Sequence, residues 1–243
     1  MQLIKATPLE FRLRFWIMAV IYVLGFTAPW DAALHLDGSG PNAHVWGLLA
    51  ALLSKSGAMG IASAFNLVLA LGIVCALAGA SLRTWGTAYL GVHTVRDAGM
   101  RGDTAVADGP YRHLRNPLYL GSWLFSVTLT LPMPASGAIF TIVLIGFFLM
   151  RLIRGEESFL TEKLGDAYTA YCAQAPRLLP KLRANPTPSE AQPQWVQAVL
   201  AETFTWGVTA SFAILGWRYN AHLLVQCILV SFGLFLVVRA FQM

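Results

Sequence analysis

The sequence predicts an all-α, polytopic integral membrane protein: a helical bundle of about six transmembrane helices with both termini cytoplasmic. Three observations carry this reading. Of 243 residues, 56% are hydrophobic and only 12% charged, whereas a soluble domain carries about 25% charged residues; a globule so poor in charge cannot cover its own surface. The apolar residues fall into runs close to the roughly 20 residues that cross a hydrocarbon core. With the N-terminus inside, fifteen of the 17 Lys and Arg fall on the inner side, and only Lys55 and Arg218 lie outside, the asymmetry that orients membrane helices. The same composition excludes disorder. Three widely spaced cysteines, Cys75, Cys172 and Cys227, exclude a disulfide scaffold. The net charge of +5 sits in blocks between apolar runs, so it reads as topology and not as nucleic-acid binding.

The spans follow in order. The first covers residues 15–30, with Trp16 and Trp30 at its ends, where amphipathic rings sit. It lacks the small-residue cleavage pattern of a signal peptide. Residues 45–53 are apolar but too short to cross, and read as an interfacial helix. Further spans cover residues 62–82, 116–131, 136–153, 199–217 and 222–241. The run Gly38-Ser39-Gly40-Pro41-Asn42 is a turn. Residues 1–61 thus hold the first span and an external loop, and 62–180 a core of three spans with inner-face segments. Residues 181–198 form a linker broken by Pro186, Pro188 and Pro193, and 199–243 a C-terminal hairpin.

Polarity on the inner face gathers in two places. One is Gly109-Pro110-Tyr111-Arg112-His113-Leu114-Arg115-Asn116-Pro117-Leu118-Tyr119-Leu120-Gly121; the other is Arg151-Leu152-Ile153-Arg154-Gly155-Glu156-Glu157. The short link Leu131-Pro132-Met133-Pro134 makes spans three and four a tight antiparallel hairpin, so the start of one lies beside the end of the other. Asn116 suits an N-cap and Pro117 the first helical position. That helix start offers free N–H groups and a partial positive charge, and two acids arrive beside it. Adjacent carboxylates at the end of an apolar helix are costly unless a cation meets them. Leu160, Leu164, Tyr168 and Tyr171 continue one apolar stripe, predicting a helix that roofs a pocket and ends at Ala175-Pro176.

The order and spacing of GPYRHLRNPLYLG, EE and FLTEKLGDAYTAYCAQAPRLLP resemble the isoprenylcysteine carboxyl methyltransferase and phospholipid methyltransferase superfamily, over roughly residues 60–180. Leu82-Arg83 and Leu90-Gly91 join the resemblance. It implies an integral membrane enzyme using S-adenosylmethionine. Tyr111, Asn116, Pro117, Leu118 and Tyr119 match cofactor-contacting positions, Val106 a backbone contact to the adenosyl part, Glu156 the cofactor-binding glutamate and Glu157 its partner. Arg151 and Arg154 flank the position of a substrate-contacting arginine. The isoprenylcysteine branch carries histidine where this chain has Asn116; asparagine occurs there in the phospholipid branch. The two C-terminal spans extend beyond the compact prokaryotic type.

The residues suit methyl transfer. Glu156 and Glu157 can meet the cofactor's cationic groups, the helix start at Asn116 its carboxylate, and Tyr111 and Tyr119 its sulfonium or adenine. A carboxylate acceptor needs no base. An amine acceptor must lose a proton, for which His113 or a glutamate is the candidate. Arg83, Arg115, Arg151 or Arg154 can hold an acceptor's carboxylate or phosphate. Blander roles stand beside these: arginines anchor span ends, His113 is structural, and Tyr168 and Tyr171 are packing residues. His35, His44, His93 and His222 show no ligand spacing, so no metal is expected. The expected function is methyl transfer from S-adenosylmethionine to a lipophilic acceptor drawn from the bilayer, a carboxylate of a prenylated or lipidic molecule first and a phospholipid amine second. The expected location is a bacterial inner membrane, with the site facing the cytosol and membrane lipids as partners. A nicotinamide-dependent steroid or enone reductase and a non-catalytic membrane protein are the rival readings.

Overall fold

The computed structural model describes residues 5–27, 44–97, 99–100, 106–183, 192–218 and 221–241. Its helices are α1 (Pro8–Arg12), α2 (Arg14–Thr27), α3 (Val45–Lys55), α4 (Ile61–Leu90), α5 (Val92–Arg96), α6 (Pro117–Thr130), α7 (Ala135–Leu164), α8 (Asp166–Gln174), α9 (Trp195–Ala201), α10 (Thr203–Arg218) and α11 (Ala221–Phe241). A 3₁₀ turn, Gly109–Arg112, precedes α6. Among the described residues there is no strand, only an isolated bridge between His44 and Pro134. The fold is all-helical, as the sequence predicts.

Helices α4, α7 and the described part of α11 are long and apolar enough to cross a membrane. Helices α9 and α10 make a fourth crossing if joined across a 64° bend. Length and composition therefore support three or four spans, where the sequence reading counts about six. Helices α2 and α6 have 14 residues each, about 21 Å at 1.5 Å per residue, short of the roughly 30 Å core. For α6 the cause is local: Pro117 opens the helix, and Pro132, with no N–H to donate, stops the hydrogen-bond ladder after Leu131. Trp30, the turn at Gly38–Asn42, and Pro186 and Pro188 of the linker lie outside the described residues.

Helices α4 and α6 run antiparallel at close approach. A Cβ on Gly79 would lie 2.7 Å from the Gly121 carbonyl oxygen, and one on Gly121 would lie 2.8 Å from the Gly79 carbonyl oxygen. Small residues let the backbones meet, as is common in membrane bundles. Two apolar clusters flank this contact. One joins Val68 and Leu69 of α4 and Phe125 of α6 to Val208, Phe212 and Leu215 of α10 and Leu224 of α11. The other joins Phe11 and Ile21 to Ile145, Phe148, Leu149 and Leu152 of α7. The tight hairpin is present, and α3 caps it: Val45 N–H donates to the Met133 carbonyl at 2.9 Å and Trp46 N–H to the Leu131 carbonyl at 3.0 Å.

This arrangement puts the end of α4, the start of α6 and the last turns of α7 at one end of the bundle. At 30 residues, α7 is about 45 Å long, so its final turns project beyond a 30 Å core. An N-terminal strap braces them. Thr7 and Glu10 form a capping box at α1, and Glu10 also takes a hydrogen bond from Arg151 Nη2 at 2.8 Å. The Thr7 backbone N–H first, and Arg151 second, hold the Glu10 carboxyl below its usual range. The stripe predicted as one helix is two: Gly165, at φ 57°, ends α7 and starts α8, a conformation that costs glycine little.

Candidate active site

The chain reaches α6 through the 3₁₀ turn, whose first residue, Gly109, has φ 55° and lies against the Tyr89 ring, where a Cβ would collide. Pro110 and Tyr111 are buried behind it. The next residues pair with the segment after α8. Arg115 N–H donates to the Pro176 carbonyl at 2.8 Å, and Lys181 N–H to the His113 carbonyl at 3.0 Å. Asn116 then occupies the N-cap position, and Pro117 presets the first helical φ. The Asn116 side chain does not cap the helix. Its amide donates instead to Glu157 Oε1 at 3.0 Å and to the Arg177 carbonyl at 3.1 Å.

A cavity opens at this corner. It measures about 630 Å³ with its open mouth and the adjoining solvent included. Its walls include Tyr111, Arg115, Asn116, Pro117, Leu118 and Tyr119 from the motif, Glu156 and Leu160 from α7, and Tyr168 and Tyr171 from α8; Leu90, Thr94 and Val106 complete it. Tyr119 donates its hydroxyl to Glu156 Oε2 at 2.9 Å. Tyr171 donates to the Tyr111 carbonyl at 2.9 Å, which fixes α8 over the turn. Burial pushes the hydroxyls of Tyr111, Tyr168 and Tyr171 up from their ordinary range, with the Glu156 charge adding at Tyr111 and the Glu157 charge at Tyr168. All three stay neutral donors near neutral pH. The Tyr111 hydroxyl and Arg115 Nε are buried with no hydrogen-bond partner among the described residues.

The two acids divide their work. Glu156 faces the cavity, and Glu157 turns away into a buried cluster. Arg177 donates to Glu157 Oε2 through Nε at 2.9 Å and Nη2 at 2.7 Å, and Arg115 Nη1 lies 3.3 Å from Oε1. Of the residues singled out from sequence, Val106, Tyr111, Arg115, Asn116, Pro117, Leu118, Tyr119 and Glu156 meet at the cavity. Glu157 supports it from behind. His113, Arg151 and Arg154 do not line it. His113 pairs its Nδ1 with the Lys181 carbonyl at 2.7 Å and lies against Trp85, while Arg151 is tied to Glu10.

Sequence reasoning missed several participants. Leu90 belongs to the resemblance but carries no assigned role there, and Thr94 has no local signal; both line the cavity. Arg177 carries Glu157, whereas the sequence offers it only as part of the resemblance, with no role of its own. Arg14 donates to the Val95 and Asp97 carbonyls at 2.8 and 2.9 Å, pinning the end of α5 near the cavity; it had been counted only as a topology charge. Tyr168 and Tyr171 had been weighed mainly as packing residues.

One acid, one arginine, four tyrosines and a helix start converge on the cavity. Among comparisons with known proteins, residues 67–167 match the family model described as phospholipid methyltransferase. The match takes in the 3₁₀ turn, all of α6 and both glutamates. No curated protein and no solved structure matches the chain. Residues 67–167 are thus similar to the phospholipid methyltransferase family, in a chain whose helices include three or four long and apolar enough to cross a membrane.

Proposed function

We propose that the cavity binds S-adenosylmethionine and that the protein methylates a lipophilic acceptor entering from the bilayer, on the cytosolic side. The observation that carries this reading is Glu156 set among Tyr111, Tyr119, Tyr168 and Tyr171 at the tip of α6. An acid ringed by aromatic faces favours an onium cation, and the buried Tyr111 hydroxyl, without a partner among the described residues, fits a ligand acceptor. S-adenosylmethionine, when bound, supplies a sulfonium methyl for in-line transfer to a nucleophile.

The chain's own residues hold, orient and exclude water. Glu156 pairs with an ammonium or sulfonium. The Leu118 and Tyr119 backbone N–H groups, in the first turn of α6, face no intrahelical acceptor and suit a carboxylate. Leu90, Val106, Pro117, Leu118 and Leu160 supply apolar wall, which strengthens these charge interactions by keeping water out.

Of the two acceptor classes, a phospholipid amine is the better supported. Of the four arginines that sequence offered for an acceptor anion, three are engaged by internal acids, Arg83 by Glu202, Arg115 by Glu157 and Arg151 by Glu10, and Arg154 does not line the cavity. Glu156, which lines the cavity, can take the proton that an amine acceptor must lose on methylation, whereas a carboxylate acceptor would meet its charge. Incubating the membrane-reconstituted protein with methyl-labelled S-adenosylmethionine and vesicles of phosphatidylethanolamine is expected to label the headgroup nitrogen. Label appearing instead as base-labile methyl ester on an added prenylcysteine would reverse the choice of acceptor. No label on either lipid would count against methyl transfer itself.

A further inference from the structure

The chain carries one charged residue between Ile61 and Leu90, Arg83, and one acid after Trp195, Glu202. They meet. Arg83 donates to Glu202 through Nε at 2.7 Å and Nη2 at 2.8 Å. Glu202 is 3% exposed and also accepts from Thr87 at 3.2 Å and Thr205 at 2.9 Å. It sits at the 64° bend between α9 and α10, outside the family match. Around it, Gln194 N–H donates to the Ala88 carbonyl at 2.8 Å and Trp206 Nε1 to Thr84 at 2.9 Å.

Arg83 also reaches the cavity wall. Its Nη1 donates to Ser122 at 2.6 Å, and Ser122 donates to the Leu118 carbonyl one turn up α6 at 2.9 Å. Leu118 lines the cavity, as does Leu90, two turns along α4 from Arg83. The Arg83 charge is felt at the Tyr111 hydroxyl, where it opposes the upward push of burial. Arginine does not lose its proton in proteins, so without Glu202 this cation would stand uncompensated beside a site for a cationic ligand.

We propose that Glu202 is a positioning residue for the methyl donor: by neutralising Arg83 beside the cavity it lets the site favour a cationic donor over the neutral thioether left after transfer. The C-terminal helices are on this account part of the binding site and not only an anchor. The inference rests on the reading that the cavity binds S-adenosylmethionine. At an effective dielectric of about 20, one uncompensated charge near the cavity changes affinity for a unit cation on the order of tenfold.

The test is the ratio of S-adenosylmethionine to S-adenosylhomocysteine affinity, titrated on the full chain in nanodiscs, each variant against wild type at the same pH. Glu202→Gln is expected to weaken the sulfonium ligand about tenfold relative to the thioether. Arg83→Gln is expected to shift the ratio about tenfold the other way. The double variant should return near the wild-type ratio. If Glu202→Gln is not recovered folded, Arg83→Gln decides alone. A purely structural latch would weaken both ligands together, and an unchanged ratio in the folded single variants overturns the proposal while leaving the cofactor reading intact. Wild-type protein that binds neither ligand would remove both.

Discussion

Glu156→Gln is expected to weaken S-adenosylmethionine binding about 100-fold and to abolish methyl transfer, with the thermal midpoint unchanged or raised. The substitution keeps shape and leaves an oxygen to accept from Tyr119, whose hydroxyl lies 2.9 Å from Oε2. What it removes is the charge. Hydrogen bonds to charged groups contribute roughly 1.5–3 kcal/mol, and about 2.7 kcal/mol is a hundredfold in affinity. No Lys or Arg among the described residues forms an ion pair with Glu156, so its charge is held at a cost that the folded protein alone does not offset. Relieving that cost stabilises, the usual exchange between stability and function at a binding site. Titration of ligand and a thermal melt on the same preparation check both halves.

Glu157→Ala is expected to do the opposite: a loss of about 3 kcal/mol of stability, at the low end of the roughly 3–5 kcal/mol seen when one partner of a buried ion pair is removed. The low end applies because Arg177 is 40% exposed and can turn to solvent. The Asn116 amide loses its acceptor at Oε1 and Arg115 its counter-charge. In a chain this size about 3 kcal/mol lowers the thermal midpoint by roughly 6–12 °C. The segment after α8, held through Arg177, loosens from the start of α6, and cofactor affinity falls as a consequence. Thermal melts of the two variants side by side separate the neighbouring acids: stability should fall at 157 and hold at 156.

That division shows where sequence reasoning stops. Consecutive helical residues point about 100° apart, so an adjacent pair of glutamates cannot serve one site equally, yet a string of letters presents them as a unit. The α6 start was legible because Asn116-Pro117 has a local mechanism, and the hairpin because Pro132 and Pro134 leave no other route. Asn116's real bonding was not legible: its partners, Glu157 and the Arg177 carbonyl, are 41 and 61 residues away. The stripe from Leu160 to Tyr171 runs through Gly165 without losing its spacing, so periodicity alone hid the break between α7 and α8. Apolar content alone does not reveal that α6 is cut to 14 residues. Arg83 and Glu202 did carry a signal, each a lone charge in an apolar run. Their pairing across 119 residues is a matter of tertiary packing.

The central claim, that the corner between α6 and α7 holds a cationic methyl donor, is tested most directly by calorimetric titration of the purified wild-type protein with S-adenosylmethionine and, separately, with NADPH. The account expects saturable one-to-one binding of S-adenosylmethionine, lost on Glu156→Gln, and no binding of NADPH. Tight NADPH binding with none for S-adenosylmethionine would contradict it.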